Sequence, residues 1–314
     1  MTGGARRTRS GAGIGLLQVC AAGVLWGTGG LVVSVLHERD GLGALTVSAW
    51  RMALAAAALI AFAAVTGRWR AATGTARAHP ALVVAVGCGT AAYQALYFLA
   101  VLLVGVSVAT VVSLGLAPVL AAAWEHVRAR TRPARREVAV LVAALTGLVL
   151  ISATAGHGSE APGSDPTLGL VLAVASGVTY AATTVLGHTL AQRVDPIALT
   201  TCATVVGAVA LAPFLAAAAA AGHPVVSTAP SSLVLLVYLG LATMALSYGL
   251  LYAGLRTTSG SAATVATLVE PLTAAVLATL LLGERLPWPA IVGGLLILGA
   301  VVALRPREDQ PAPV

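Results

Sequence analysis

Apolar runs of twenty or so residues recur along the whole chain, each closed by a short cluster of Pro, Gly, Arg or acidic residues. They fall near 14–36, 43–66, 80–103, 106–127, 136–154, 167–190, 197–221, 231–254, 259–282 and 287–304. A helix needs roughly 20 mostly apolar residues to cross the hydrocarbon of a bilayer, so the pattern predicts ten transmembrane helices in an all-α polytopic membrane protein. The segments between the runs read as loops. The first run follows Arg6, Arg7 and Arg9 as a secretory signal would, but it is long and similar runs follow it, so it reads as a first anchor.

A Gly/Pro-rich stretch holding His157, Glu160 and Asp165 divides the chain into 14–154 and 167–304, five runs each, with short tails at 1–13 and 305–314. The two halves resemble each other. Gly15-Leu16-Leu17 through Gly23-Val24-Leu25-Trp26 aligns without gaps on Gly169-Leu170-Val171 through Gly177-Val178-Thr179-Tyr180. The same register, within one residue, matches Tyr93 and Tyr97 with Tyr248 and Tyr252, and Pro118 with Pro271. Landmarks this far apart in one register predict an internal repeat. Five crossings is an odd number, so the second repeat is expected upside down relative to the first. Inverted repeats can exchange conformations and give alternating access to a midplane site.

Composition agrees, with 58% of residues hydrophobic and 9% charged, a balance no water-soluble globule of this size carries. Little chain is left for a soluble domain. Lys and Asn are absent, a usage that suggests GC-rich bacterial coding and hence a cell (inner) membrane. With a cytoplasmic start, alternating loops place Arg68, Arg70, Arg77, Arg128, Arg130, Arg132, Arg135, Arg136, Arg193, Arg256, Arg305 and Arg307 beside the first three, and only Arg39 and Arg285 outside. This is the positive-inside bias, and a miscounted helix would scramble it. The net charge of +7 therefore points to lipid headgroups as the partner of the loops, and not to nucleic acid.

Several short motifs in order carry a resemblance: Leu25-Trp26-Gly27-Thr28, Arg51 in the second run, Pro118 and Pro271 within the fourth and ninth, Leu282-Gly283-Glu284-Arg285-Leu286, and Gly293-Gly294. Together they resemble the EamA-type ten-helix members of the drug/metabolite transporter superfamily, over essentially the whole chain. The resemblance implies a secondary transporter, often an exporter of amino acids or related metabolites, with a cavity between the halves. One motif departs from it: the Gly-Glu after the ninth run has no counterpart after the fourth, which reads His126-Val127-Arg128.

Glu270 stands out because it lies about a dozen residues into the ninth run, near mid-bilayer. A carboxylate there costs roughly 2.5–3.5 kcal/mol on insertion scales and should face a cavity or a partner. Pro271 beside it removes an N–H and can loosen the helix. Substrate binding, proton coupling and a buried ion pair are all open to it. Arg51 is the natural partner, about eight residues below the outer end of its helix. It can clamp a substrate carboxylate or lock helices through carbonyls and Glu270. Trp26 and Tyr180, Tyr93 and Tyr248, and Tyr97 and Tyr252 occupy equivalent mid-helix positions, where an i, i+4 pair offers one face of ring and hydroxyl to a ligand or simply packs. Gln94 can bond a substrate or a neighbouring helix. Gly23 and Gly27 form a small-xxx-small pair suited to close helix packing.

No cofactor or metal is expected. Cys20, Cys88 and Cys202 sit in apolar runs without metal or redox spacing, and His37, His79, His126, His157, His188 and His223 lie in loops or near run ends. A membrane-embedded enzyme is the rival reading. Against it, no His-Glu-x-x-His, Lys-bearing phosphate loop or Gly-x-Ser-x-Gly is present; His37-Glu38-Arg39-Asp40 starts like the first and fails at Gly41. A non-transporting scaffold would be favoured by a sizeable soluble domain. Reporter fusions at either terminus are expected to read cytoplasmic, and a periplasmic reading at one end would contradict the ten-helix count.

Overall fold

The computed structural model of the protein describes residues 3–154, 165–282 and 287–304. His157, Glu160, Arg305, Arg307 and the Gly283-Glu284-Arg285-Leu286 motif lie outside them. The elements are α1 (Gly3–Asp40), α2 (Ala44–Val65), α3 (Trp69–Ala78), α4 (Pro80–Ala129), α5 (Arg135–Thr154), α6 (Pro166–Ala191), α7 (Pro196–Ala220), α8 (Pro230–Gly240), α9 (Ser247–Gly254), α10 (Gly260–Ala266), α11 (Val269–Leu282) and α12 (Trp288–Ala303), with a π-helical stretch Leu241–Leu246 joining α8 to α9. Among the described residues nine stretches are long and apolar enough to cross a membrane, and α12 is a tenth, shorter apolar helix. Each of the ten apolar runs is helical.

Helix starts follow local chemistry. Asp165 and Asp195 precede Pro166 and Pro196 and cap α6 and α7, each carboxylate accepting two backbone N–H groups at 3.0–3.1 Å. The segment after Val65 departs from the expected loop by forming α3. This helix is too short and too rich in arginine to cross; it buries Ala72 and Thr75, exposes Trp69, Arg70 and Arg77, and accepts a bond at Ala72 O from Cys202 Sγ.

The helical backbone is irregular in three places. Helical backbone continues from Pro80 to Ala129, yet the Tyr97 hydroxyl lies 2.8 Å from Thr110 Oγ1. Thirteen residues of straight helix span roughly 20 Å, so α4 folds back on itself and supplies two crossings, Pro80–Val101 and Val108–Ala129. Helix α6 lies along both arms: Ser176 Oγ donates to Tyr93 O and Ser113 Oγ to Ala173 O. The crossing Pro230–Gly254 carries the π stretch. The crossing Gly260–Leu281 breaks at Thr267–Leu268, four residues before Pro271. Pro271 cannot donate to Thr267 O, and the Glu270 N–H turns back to that carbonyl instead, at 2.9 Å.

Cross-links at the two ends of the bundle show the alternation of the helices. At one end Arg68 pairs with Asp195, Arg136 donates to Ala303 O, and Gln192 donates to Leu255 O. At the other, Asp40 accepts from Ser227 and Trp50 donates to Val225 O. The described loop arginines other than Arg39 therefore gather at the first end. The Arg68–Asp195 pair is nearly half exposed on both sides and contributes little to stability.

Lipid offers no hydrophobic drive between helices, so close contact at small residues has to hold the bundle. Helices α5 and α12 meet at Gly147 and Gly293, where a Cβ on Gly293 would lie 2.6 Å from Gly147 O. Gly293→Leu is expected to destabilise the protein by about 1–3 kcal/mol, the usual cost of overpacking. Gly299→Leu, which meets open space, should change little. Thermal unfolding in detergent compares the two.

Candidate substrate site

Six helices converge near the middle of the bundle. Helix α1 brings Trp26, α2 Arg51, α4 Thr90, Tyr93, Gln94 and Tyr97, α6 Tyr180, Thr183 and Thr184, α9 Tyr248, Leu251 and Tyr252, and α11 Glu270. Helical spacing places Tyr93 and Tyr97 with ring centroids 6.3 Å apart and Tyr248 and Tyr252 6.0 Å apart. Between helices, Tyr93 stacks on Tyr180 at 4.7 Å and Trp26 meets Tyr248 edge-on at 5.1 Å. In the internal register Trp26 corresponds to Tyr180 and Tyr248 to Tyr93, so these two ring pairs are counterparts.

The irregular backbone sits at this cluster. Trp26 Nε1 donates to Thr243 O at 3.0 Å, a carbonyl of the π stretch that also accepts from Ser247 Oγ. Wider helical turns leave carbonyls to such outside donors, and they recur at functional positions. Tyr180 Oη lies 3.0 Å from Thr267 Oγ1, at the break between α10 and α11. Two rings that close the site are thus anchored on the two places where regular helix gives way.

Between the rings lies a narrow cleft, with room for little more than a water molecule, lined by Thr90, Tyr93, Tyr180, Thr183, Thr184, Tyr248, Leu251 and Tyr252. Small-molecule sites occupy roughly 300–1,000 Å³, so it has to widen to admit most metabolites. Four of the residues singled out from the sequence line it. Trp26 stands behind Tyr248, and Tyr97 flanks Tyr93 with its hydroxyl on Thr110. Gln94 is buried, with Nε2 on Thr90 O at 3.3 Å and Oε1 without a partner. Thr90, Thr183, Thr184 and Leu251 escape sequence reading. Their only signal is a position three or four residues from Tyr93, Tyr180 or Tyr248. The Thr90 and Thr184 hydroxyls donate to Val86 O and Tyr180 O of their own helices, as buried threonines in lipid commonly do.

Two charges flank the rings. Arg51 is only 9% exposed, and its Nε is buried with no partner. Among the described residues neither a hydrogen bond nor an ion pair holds its guanidinium. Glu270 is half-buried in the first turn of α11. Ion pairs within 4.0 Å among the described residues are Arg68–Asp195 and His126–Glu137, so Arg51 and Glu270 do not touch. They remain within Coulombic reach of each other and of Tyr93 and Tyr248. Nor do three or more His, Cys, Asp and Glu side chains among the described residues converge on a metal position. The arrangement is a small aromatic cavity with an unengaged cation and an unengaged carboxylate at its margin.

The profile of the EamA-like transporter family matches the chain twice, over residues 13–153 and 167–305. The chain belongs to the EamA-like transporter family. Within the drug/metabolite transporter superfamily it is a multi-pass membrane transporter. It is 27% identical over 298 residues to the uncharacterized transporter YwfM of Bacillus subtilis, covering 94% of this chain and 96% of that one. It is also 27% identical over 292 residues to the uncharacterized inner membrane transporter YicL of Salmonella typhimurium, covering 92% and 94%. A solved crystal structure shares the fold at a TM-score of 0.75 and 21% identity, covering 92% of this chain and 95% of its own. An EamA-like transporter must let a solute pass between its helices. The ring cluster, with its irregular backbone and unengaged charges, is the candidate for that site.

Proposed function

We propose that the protein exports an amino acid or a related metabolite bearing both a carboxylate and an ammonium group. The observation that carries this reading is the Arg51 guanidinium, nearly buried and unpartnered. A charge desolvated in this way costs several kcal/mol unless an anion joins it. Glu270 lies within Coulombic reach but does not neutralise it by contact. A zwitterion satisfies both: its carboxylate goes to Arg51, which offers a planar fork of donors, and its ammonium to Glu270. The rings of Tyr93, Tyr180 and Tyr248 take its apolar part. A proton is the alternative occupant of Glu270, which makes that residue the candidate for proton coupling.

Transport proceeds by alternating access between the halves 14–154 and 167–304, inverted relative to each other, in the cell (inner) membrane with both termini cytoplasmic. The arginine-bearing end of the bundle faces the cytoplasm in this orientation. The breaks at Leu241–Leu246 and Thr267–Leu268 support the reading, since discontinuous helices at midplane are how such transporters present backbone groups to a solute.

The test is uptake and efflux in proteoliposomes with a panel of amino acids and matched amines and acids, with and without a pH gradient. Arg51→Met should reduce transport at least tenfold while leaving unfolding within about 1 kcal/mol of the parent, since no partner is left stranded. An Arg51 that locks helices would instead cost roughly 3–5 kcal/mol. Glu270→Gln should fold normally, discriminate against acids less, and lose any dependence on the imposed pH gradient. Full gradient-driven transport in a well-folded Glu270→Gln protein would remove Glu270 from the coupling role.

A further inference from the structure

Glu125 lies seven residues beyond Pro118, near the arginine-bearing end of α4, and plays no part in the ring cluster. Its carboxylate reaches across to α10. Ser261 N–H donates to Oε1 at 2.9 Å, and the Ser261 hydroxyl donates to Oε2. The approach is close: a Cβ on Gly260 would stand 3.2 Å from Oε1. A second contact joins the same two halves at the same end, where α1 and α9 meet with Gly15 against Gly254. The chain between cavity and surface is therefore drawn together there by one polar and one close-packed contact.

We infer that Glu125 is a latch that holds the arginine-bearing side of the transporter shut and must release Ser261 for the cavity to open to that side. The inference rests on the transporter reading above. The internal repeat strengthens it. The register that aligns Pro118 with Pro271 also aligns Glu125 with Ala278 and Ser261 with Val108. The corresponding contact at the opposite end would join two apolar residues, for which no carboxylate bond is available. The glycine contact, in contrast, has a counterpart, since Gly169, the partner of Gly15 in the register, packs against Leu103 and Val104. Close packing is thus shared by both ends, and the carboxylate that joins the halves at the opposite end is a different one, Asp40, which accepts from Ser227 at 2.9 Å. The two ends are therefore held by different carboxylates, and releasing Glu125 frees only the arginine-bearing one. His188 lies within Coulombic reach of both Glu125 and Arg128.

The test reads accessibility, not transport. In a protein whose native cysteines are replaced by alanine, Thr184→Cys on the cavity wall is labelled with a membrane-impermeant maleimide in right-side-out and inside-out vesicles. Glu125→Gln is expected to raise the labelling rate from the arginine-bearing face by roughly tenfold, the worth of one charge-assisted hydrogen bond. Ser261→Ala, which keeps the backbone donor, should raise it less. Glu125→Asp, a methylene shorter, should fall between parent and Gln. Size-exclusion profiles identify variants that have not folded, and Ser261→Ala supplies the reading if Glu125→Gln is one of them. Unchanged labelling in both well-folded variants overturns the latch. An increase from the opposite face would keep the latch and overturn the orientation, and an increase without transport in proteoliposomes would keep the latch and overturn the substrate reading.

Discussion

Holding a guanidinium and a carboxylate near the middle of a bilayer without letting them touch is the constraint around which this fold is arranged. Either charge facing lipid would cost several kcal/mol. The helices resolve this by surrounding Arg51 with packed neighbours while α11 begins at Val269 and presents Glu270 in its first turn. The break at Thr267–Leu268 is what allows that placement, since an unbroken helix would have to pay for Pro271 within a regular turn.

The same logic extends to the rings. A tyrosine hydroxyl in hydrocarbon needs a partner, and Tyr180 and Tyr97 take theirs from Thr267 and Thr110. The Tyr252 hydroxyl stands beside Thr90 without closing a bond. Gln94 Oε1 and Arg51 Nε are likewise without a partner, as are buried oxygens of Asp40, Ser48, Ser232 and Thr258 elsewhere among the described residues. Buried polar groups are expensive to leave unpaired. Those of Arg51, Gln94 and Tyr252 belong to the ring cluster, and the proposed substrate reading gives them partners.

Mobility has its own provision. Contacts through Gly15, Gly254, Gly147 and Gly293 bring backbones of the two halves close together. Under the proposed alternating access, these are the surfaces that have to slide or part. The Glu125–Ser261 bond is a different kind of contact, directional and charge-assisted, as is Asp40–Ser227 at the other end.

Hydropathy alone carried the number and approximate ends of the crossings, because lipid imposes a one-dimensional requirement on each segment: about twenty apolar residues and no unsatisfied backbone. The repeat carried the matched aromatic positions, since equivalent residues keep one register whatever their depth. Pro271 announced a disturbance in its helix, although not that the break would fall at Thr267–Leu268. Other features depend on contacts between residues far apart in the chain. Whether Arg51 and Glu270 pair is a matter of ångströms between two helices, and no spacing in the sequence encodes it. That Glu125 meets Ser261, that α4 folds back so Tyr97 reaches Thr110, and that Thr90, Thr183 and Thr184 face the cavity were likewise settled only when the helices packed. Side chains on a crossing helix can face lipid or protein, and only neighbours brought from distant parts of the chain decide which.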